Sequence, residues 1–271
     1  MNTDGGAERD AVKLGSGGRL WVLEDGLFIT DAGNILGDTG GRNVRIRGAM
    51  HALLHEGPDG LTLLDAGFGP EVPVPLEGRY EVRRELSLPE AIEQTGNSPE
   101  DVALIVLSHL DPDHVGWAIH SRDETFPNAR IVAQRDALEE ARRMKEGDGR
   151  RLAVPLVEAG IEAGWFGLLD GDEEVASGVS VEVRSGHSEG HQVVWIGEEV
   201  LFSADLAPSK IFLEPDLISG VDTDPEAARR NRIEVLSLAE RLGAMVALYH
   251  EPKNPLVHVA KGRKGFEATP V

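Results

Sequence analysis

The chain has 271 residues, of which 41% are hydrophobic and 27% are charged, a composition typical of a globular protein with a buried core. Its 47 acidic side chains outnumber its 27 basic ones, so the formal net charge is -20 at pH 7. Such a charge repels phosphate backbones and anionic lipid surfaces. We therefore expect neither nucleic acid nor a membrane as a partner, and we expect a small-molecule substrate instead.

The chain contains no cysteine, which excludes disulfide bonds, thiolate metal ligands and a cysteine nucleophile. Any bound metal must therefore be held by His, Asp or Glu side chains. The start of the chain lacks the basic residues and apolar run of a secretory signal, and no apolar stretch approaches the roughly 20 residues that a membrane-spanning helix needs. The sequence thus predicts a cytoplasmic protein.

The predicted elements follow a polar, glycine-rich stretch, which we interpret as a flexible tail over residues 1–18. Residues 20–29 predict a β-hairpin around Asp25 and Gly26. Short apolar runs predict strands at residues 44–54, 61–64, 102–107, 129–133, 179–184, 192–196, 200–203 and 244–248, the last being the final buried strand.

Helix start signals, which combine Ser or Asp with an early Pro or an acidic residue, predict short helices at residues 87 and 98 and a longer helix over 224–241. A further helix is predicted over 135–145, where the chain is rich in Ala, Leu, Glu and Arg and the pattern ends at Gly147. The stretch between residue 147 and about residue 170 carries no regular pattern. Because neither an internal repeat nor a low-complexity linker divides the chain, we predict a single domain over residues 19–271.

The most informative stretch directly follows the apolar strand predicted at residues 102–107. Four side chains that can bind a metal crowd into six residues: His109, Asp111, Asp113 and His114. Imidazole and carboxylate groups suit Zn, Mn or Fe, and a tight loop at a strand end can aim several of them at one point. The alternative is a polar loop with helix-capping aspartates, which the rest of the sequence makes less favourable.

Three further segments also carry a metal-binding group directly after an apolar strand. They contain His187, Asp205 and His250. Taken singly, each of these could be an ordinary loop, turn or core residue. Their joint placement at equivalent strand ends favours one metal site built from all four segments.

These motifs resemble the metallo-beta-lactamase superfamily, whose members carry His-x-His-x-Asp-His, a later Gly-His, a bridging Asp and a late His. The resemblance covers roughly residues 44–260, and Leu64-Asp65-Ala66-Gly67 is similar to the early Asp-x-Gly turn of that superfamily. The segments that resemble its lactonase-like hydrolase branch are residues 205–208, 213–218, 222–225 and 250–253. The resemblance implies an α/β fold, the αββα four-layer sandwich of two mixed sheets flanked by helices.

The resemblance also implies two divalent metal ions per chain. The first would be held by His109, Asp111 and His187, the second by Asp113, His114 and His250, with Asp205 bridging them. Asp113 would also be catalytic, since it would orient the attacking water and shuttle its proton. Asp65 and His191 would hold the ligands in orientation through hydrogen bonds. Candidates for substrate binding, each with ordinary packing or solvation as the alternative, are Lys210, Phe212 and Tyr249.

One residue departs from the family pattern, because Asp111 stands where the second histidine is expected. The protein ligands then bring three negative charges instead of two, which weakens Lewis acidity and shifts the expected metal from Zn towards Fe or Mn. A dinuclear hydrolase of a small ester or lactone, acting through a metal-bridging hydroxide, is our first interpretation. Two alternatives stay open: a di-iron oxygen or nitric oxide reductase with a separate electron donor, and a non-catalytic member of the superfamily in which Asp111 has spoiled one metal site. Whether the chain forms a homodimer also stays open.

Overall fold

The computed structural model describes residues 11–37, 44–73, 76 and 78–271. Within them, the strands of the first sheet are β1 (Val12–Lys13), β2 (Arg19–Asp31), β3 (Arg45–Gly57), β4 (Gly60–Leu64), β5 (Glu81–Arg83), β6 (Val102–Val106), β7 (Arg130–Gln134) and β8 (Phe166–Leu169). Their order in the sheet is β1-β2-β3-β4-β6-β7-β8, with β5 paired to β2. The pairs β4/β6, β6/β7 and β7/β8 are parallel and the others antiparallel.

The strands of the second sheet are β9 (Glu173–Ala176), β10 (Val179–Val183), β11 (Gln192–Ile196), β12 (Val200–Phe202), β13 (Met245–Ala247), β14 (Leu256–Lys261) and β15 (Phe266–Pro270). Their order in the sheet is β15-β14-β13-β12-β11-β10-β9, and the β12/β13 pair is parallel. The α-helices are α1 (Gly33–Leu36), α2 (Leu88–Glu93), α3 (Pro112–His120), α4 (Arg122–Thr125), α5 (Arg135–Arg143), α6 (Gly149–Ala163) and α7 (Pro225–Leu242). Short 3-10 helices lie at Pro99–Asp101, Ala204–Leu206 and Lys210–Leu213.

Three apolar clusters separate the layers of the fold. One cluster packs α2, α3, α5 and α6 against the first sheet, a second fills the space between the two sheets, and the third packs α7 against the second sheet. Each sheet therefore buries one face against the other sheet and its opposite face against helices. The αββα sandwich expected from the sequence is confirmed.

The hairpin predicted around Asp25 is wrong, because β2 continues through this position as a single strand with a bulge between Glu24 and Gly26. The buried Asp25 carboxylate accepts hydrogen bonds from Nε1 of Trp117 at 2.8 Å and from the backbone N–H groups of Phe68 and Leu88. Gly26 has a φ of +127°, which favours glycine. The Asp-Gly pair thus marks a bulge that ties the strand to α2 and α3.

Three other expectations also need correction. The stretch predicted to be irregular after residue 147 contains helix α6, whose Asp148 cap accepts a hydrogen bond from the Arg150 N–H, and strand β8. The strand predicted as final, now β13, is followed by β14 and β15. Residues 1–10 of the predicted tail lie outside the described residues, whereas β1 pairs with β2 and Leu14 is buried.

The ends of several strands meet at one edge of the sandwich. Strands β4 and β6 of the first sheet lead into Asp65 and Ser108, and β12 and β13 of the second sheet lead into Ala204 and Leu248. The turn between β10 and β11 adds His187 at the same edge. Among the helices of the described residues, none is long and apolar enough to cross a bilayer.

Candidate metal centre

The residues predicted to bind metal lie together at this edge. Three groups of donors each have all their ligand atoms within 4.8 Å of one another. The groups are His109, Asp111 and His187; Asp113, His114 and His250; and His109, His114 and Asp205. The first two groups coincide with the two ligand sets expected from the sequence, so two donor sets lie side by side at the sheet edge.

Asp205 lies between the two donor sets. Its Oδ1 is 3.3 Å from Nε2 of His114 and 3.2 Å from Nε2 of His250, and its Oδ2 is 3.5 Å from Nε2 of His187. One carboxylate oxygen therefore faces each set. The preceding residue, Ala204, has a φ of +44°, so the chain turns sharply as it delivers this carboxylate.

Three of the histidines donate a hydrogen bond from Nδ1 away from the centre. His114 donates to Oδ2 of Asp65 at 2.7 Å, and His250 donates to the carbonyl of Ala49 at 2.7 Å. His187 has its Nδ1 3.2 Å from Oδ1 of Asp222. Because carboxylate and carbonyl oxygens only accept, the proton of each neutral ring lies on Nδ1, which leaves the Nε2 lone pair free for a metal ion.

Asp65 orients a fourth ring, that of His109, through a hydroxyl group. The carboxylate of Asp65 accepts from the N–H of Ser108 at 2.7 Å and from its Oγ at 2.6 Å, so this hydroxyl can accept from Nδ1 of His109 at 2.9 Å. Asp65 itself has a φ of +57°, an uncommon conformation for a residue other than glycine. One buried carboxylate is thus hydrogen-bonded to one imidazole ring directly and to a second through Ser108.

The donor atoms fit a metal ion. Nε2 of His109, Nε2 of His114 and Oδ1 of Asp205 are buried and have no hydrogen-bond partner within the described residues. Imidazole lone pairs that face a carboxylate oxygen repel it unless a positive charge lies between them. A cation at this point would satisfy all three atoms together, and imidazole and carboxylate suit Zn, Mn or Fe.

Protons are the alternative source of positive charge here. Burial alone would lower the pKa of His187, but the carboxylates of Asp205 and Asp111 outweigh it and raise that pKa to about 9. The pKa of His114 is likewise raised well above its ordinary value by Asp205 and Asp65, against the effect of burial. Metal-free protein therefore keeps protons where metal ions would bind, and the two compete.

Asp111 is paired with an arginine that the sequence did not reveal. Arg150 of helix α6 donates from Nε to Oδ1 of Asp111, while its Nη2 is 3.3 Å from Oδ2. Burial would raise the pKa of Asp111, but Arg150 and His109 hold it well below the usual range. The pairing was missed because helix α6 was missed. The cap at Asp148 and the glycine at 164 were the signals available for that helix.

Arg232 is a second buried arginine that supports the centre without contacting the donors. Its Nε donates to the carbonyl of Leu206 at 2.5 Å, its Nη1 donates to the carbonyl of Leu217 at 2.8 Å, and its Nη2 is 4.0 Å from Asp222. The guanidinium group thereby joins the segment after Asp205 to the aspartate that accepts from His187. In the sequence, Arg232 is a basic residue inside the helix predicted over 224–241, and nothing there indicates this role.

A cavity of about 410 Å³ opens onto the donors. Asp111, Asp113, His187, Asp205 and His250 border it, and its walls include the side chains of Phe28, Ile35, Ile46, Tyr80, Phe212 and Val221. The cavity is thus largely apolar away from the polar group of donors. Of the substrate-binding candidates, Phe212 lies in this wall.

The other predicted residues lie elsewhere. Lys210 does not line the cavity, but its Nζ is 3.3 Å from Oε1 of Glu251, which does. Tyr249 is fully buried, stacks on His114 with ring centroids 4.1 Å apart, and donates from its hydroxyl to the carbonyl of Asp113. Neither ring nitrogen of His191 has a hydrogen-bond partner in the described part of the chain, and burial lowers its pKa well below the ordinary value. The orienting hydrogen bond expected from His191 is therefore not formed.

Comparison with known proteins gives the chain its family. The model of the metallo-beta-lactamase superfamily matches residues 45–250. An N-acyl homoserine lactonase of Bacillus cereus is 28% identical over 204 residues, which cover 69% of this chain and 76% of that protein. The N-acyl homoserine lactonase AiiB of Agrobacterium fabrum is 32% identical over 162 residues, 52% of this chain and 55% of AiiB.

Solved structures agree with the fold. AidC, a dizinc quorum-quenching lactonase crystallised with the product N-hexanoyl-L-homoserine, superposes with a TM-score of 0.76 at 23% identity and 97% coverage of both chains. The hydrolase AbOPH gives a TM-score of 0.76 at 20% identity, with 96% of each chain covered. The chain therefore belongs to the metallo-beta-lactamase superfamily, as a metal-dependent hydrolase with lactonases among its relatives.

Proposed function

We propose that this hydrolase uses two divalent metal ions to open the ester bond of a lactone that carries an acyl chain. The observation that carries the proposal is the convergence of two donor sets, joined by Asp205, on one side of a largely apolar cavity. The relatives named as N-acyl homoserine lactonases support the substrate class. The reductase alternative is not favoured, because these relatives are hydrolases.

The metal ions, when bound, would supply Lewis acidity that polarises the substrate carbonyl and lowers the pKa of a water molecule. Asp113 borders the cavity, and its Oδ2 lies 3.5 Å from Nε2 of His250. We assign to this carboxylate the orientation of the attacking water and the transfer of its proton to the leaving oxygen. The hydrogen bond from Tyr249 to the Asp113 carbonyl holds the start of α3, and with it this carboxylate, in place.

Tyr80 is the phenol in the cavity wall, with its ring 5.6 Å from that of Phe28 and 5.7 Å from that of Phe68. Burial and the negative charge of Asp113 raise its pKa above the ordinary value, so the hydroxyl stays protonated and can donate to a substrate oxygen. We expect Tyr80→Phe to lower kcat by about tenfold or more while leaving the bound metal unchanged. An unchanged kcat would remove Tyr80 from the proposed mechanism.

Two features of the site bear on the substrate and the metal. The apolar walls, including Phe28, Ile46 and Phe212, suit an acyl chain that extends away from the donors. Zinc is our proposed metal because AidC is a dizinc enzyme and because Arg150 offsets the extra negative charge of Asp111. That offset removes the electrostatic reason for expecting Fe or Mn from the sequence.

The test is hydrolysis of N-hexanoyl and N-decanoyl homoserine lactone by protein that has been stripped of metal and reloaded with zinc. Ring opening releases a proton, which a pH indicator records directly. We expect turnover by the reloaded protein, none by the stripped protein, and preference for the lactones over an acyl amide of the same length. A zinc-loaded protein that opens neither lactone nor any simple ester would contradict the proposal.

A further inference from the structure

The ion pair between Asp111 and Arg150 connects the donors of the first metal to helix α6. Nε of Arg150 donates to one carboxylate oxygen of Asp111, Oδ1. The other oxygen, Oδ2, lies 3.2 Å from Nε2 of His187 and 3.4 Å from Nε2 of His109. Nη2 of Arg150 is also 3.3 Å from Oδ2, so the arginine contacts both carboxylate oxygens, and Oδ2 is the one that also faces the donors of the first set.

The same guanidinium group is held from its other edge. Its Nη1 is 3.4 Å from Oε2 of Glu140, and its Nη2 is 3.4 Å from the carbonyl of His187. The side chains of Arg150 and Glu140 are only 10% and 5% exposed, so this is a buried cluster with little freedom. A planar guanidinium can hold a carboxylate in a fixed orientation, which a flexible ammonium group cannot do equally well.

The pair of Asp111 and Arg150 gives the donors the same net charge as a histidine at position 111 would. Asp111, Asp113 and Asp205 bring three negative charges, whereas a histidine at position 111 would leave two. Arg150 adds one positive charge in direct contact with Asp111, so the donors and the arginine together again carry a net charge of about -2. The pair is therefore electrostatically equivalent to one neutral ligand.

We propose that Asp111 and Arg150 act as one unit that takes the place of a histidine ligand, with Arg150 as the residue that positions Asp111. The inference rests on the proposed metal centre. It has a specific consequence: neither half of the unit can be replaced alone, whereas both can be replaced together. Asp111→His alone leaves the Arg150 cation buried beside the metal ions, and Arg150→Met alone leaves the Asp111 carboxylate without its cation.

The test is a double-mutant cycle of Asp111→His, Arg150→Met and the double variant. Melting temperatures are measured on metal-free protein, and zinc affinity is measured by competition with a chelator. We expect each single variant to melt about 6 °C or more below the wild type. Asp111→His should also weaken zinc binding by about tenfold or more, since the Arg150 cation then stays beside the metal ions with Glu140 as its remaining carboxylate partner. The double variant should recover most of the loss in zinc affinity and part of the loss in melting temperature, because Glu140 stays buried without its arginine.

Arg150→Lys keeps the charge and is the conservative variant, which we expect to fold. We expect its melting temperature to lie between those of the wild type and Arg150→Met, because the fork geometry is lost and the charge is kept. The matched control is Arg135→Met, which removes a guanidinium from an exposed pair with Asp170. Its melting temperature should change by about 1 °C or less.

Additive losses in the double variant would overturn the proposal, and so would an Asp111→His protein with wild-type melting temperature and zinc affinity. These readouts do not require any substrate. A failure of the lactonase proposal would instead appear as zinc-loaded wild-type protein that hydrolyses no lactone. The two proposals can therefore fail separately.

Discussion

The two donor sets of the centre are anchored in different ways. The set of Asp113, His114 and His250 depends on Asp65 and the Ala49 carbonyl, both of which belong to or directly follow strands of the first sheet. The set of His109, Asp111 and His187 shares Asp65 through Ser108, but it also depends on Arg150 and Asp222, which lie outside the sheets. One half is thus supported mainly by the sheet, and the other by a helix and a loop.

The largest effect should come from the residue shared by both halves. Asp205→Ala removes the carboxylate that lies between the two donor sets, so we expect loss of at least one of the two ions. We also expect a fall of about a thousandfold or more in kcat/KM. Elemental analysis and lactone turnover check this. Asp216→Ala, at an exposed ion pair, is the control. Retention of two ions per chain in Asp205→Ala would contradict the bridging role.

The second-largest effect should distinguish the two donor sets by their loss of metal binding. Asp65→Asn should weaken metal binding by about 10- to 100-fold, because this carboxylate orients both His114 and His109. Asparagine tolerates the positive φ of this position, so the effect reports on the hydrogen bonds. Asp222→Asn should affect only the half that contains His187 and weaken binding of one ion. Equal losses at both ions in Asp222→Asn would refute the difference between the halves.

Arg232→Met tests the loop support of the same half. Loss of the buried guanidinium leaves the carbonyls of Leu206 and Leu217 without their donor, so we expect the free energy of unfolding to fall by about 2–4 kcal/mol. Denaturant unfolding of metal-free protein measures this. Arg229→Met, which removes an exposed guanidinium from the same helix, should change it by about 0.5 kcal/mol or less. Similar values for both variants would show that Arg232 has no structural role.

The smallest effect is on the pH dependence of metal binding. The pKa of His187 is raised to about 9, so metal-free protein holds an extra proton on this ring at pH 7.5, and the pKa values of His114 and His250 are raised in the same direction. Zinc must displace bound protons, so its apparent affinity should fall as the pH falls from about 9 towards 6. Calorimetry in two buffers with different ionisation enthalpies measures the released protons. Release of no proton at pH 7.5 would contradict these pKa shifts.

The seven side chains that the structure groups as possible metal donors were already candidates in the sequence, because each lies in a short motif after an apolar strand, as His109 and His250 illustrate. The residues that hold them were harder to find. Arg150 belongs to a helix that contains Pro155, and it meets Asp111 from 39 residues away. Asp222 and Arg232 show no local pattern that indicates what they contact. Such partners depend on how distant elements pack, which periodicity and spacing do not encode.

The strands, too, were predicted only in part. Apolar runs predicted most strands of the core, whereas the Asp25-Gly26 pair was misread as a turn because bulges and turns use the same residues. Strands β14 and β15 were missed after β13, since exposed residues such as His258 and Glu267 interrupt their apolar pattern. A strand with one face in solvent gives a weaker run of apolar residues than a strand that is buried on both faces.

The central claim is that both halves of the centre hold a metal ion, despite the aspartate at position 111. The most direct measurement is elemental analysis of wild-type protein purified without added metal and again after reloading with zinc. We predict about two zinc ions per chain after reloading. One ion or none per chain in folded, reloaded protein would contradict the claim and would mean that Asp111 and Arg150 leave the first donor set unable to bind.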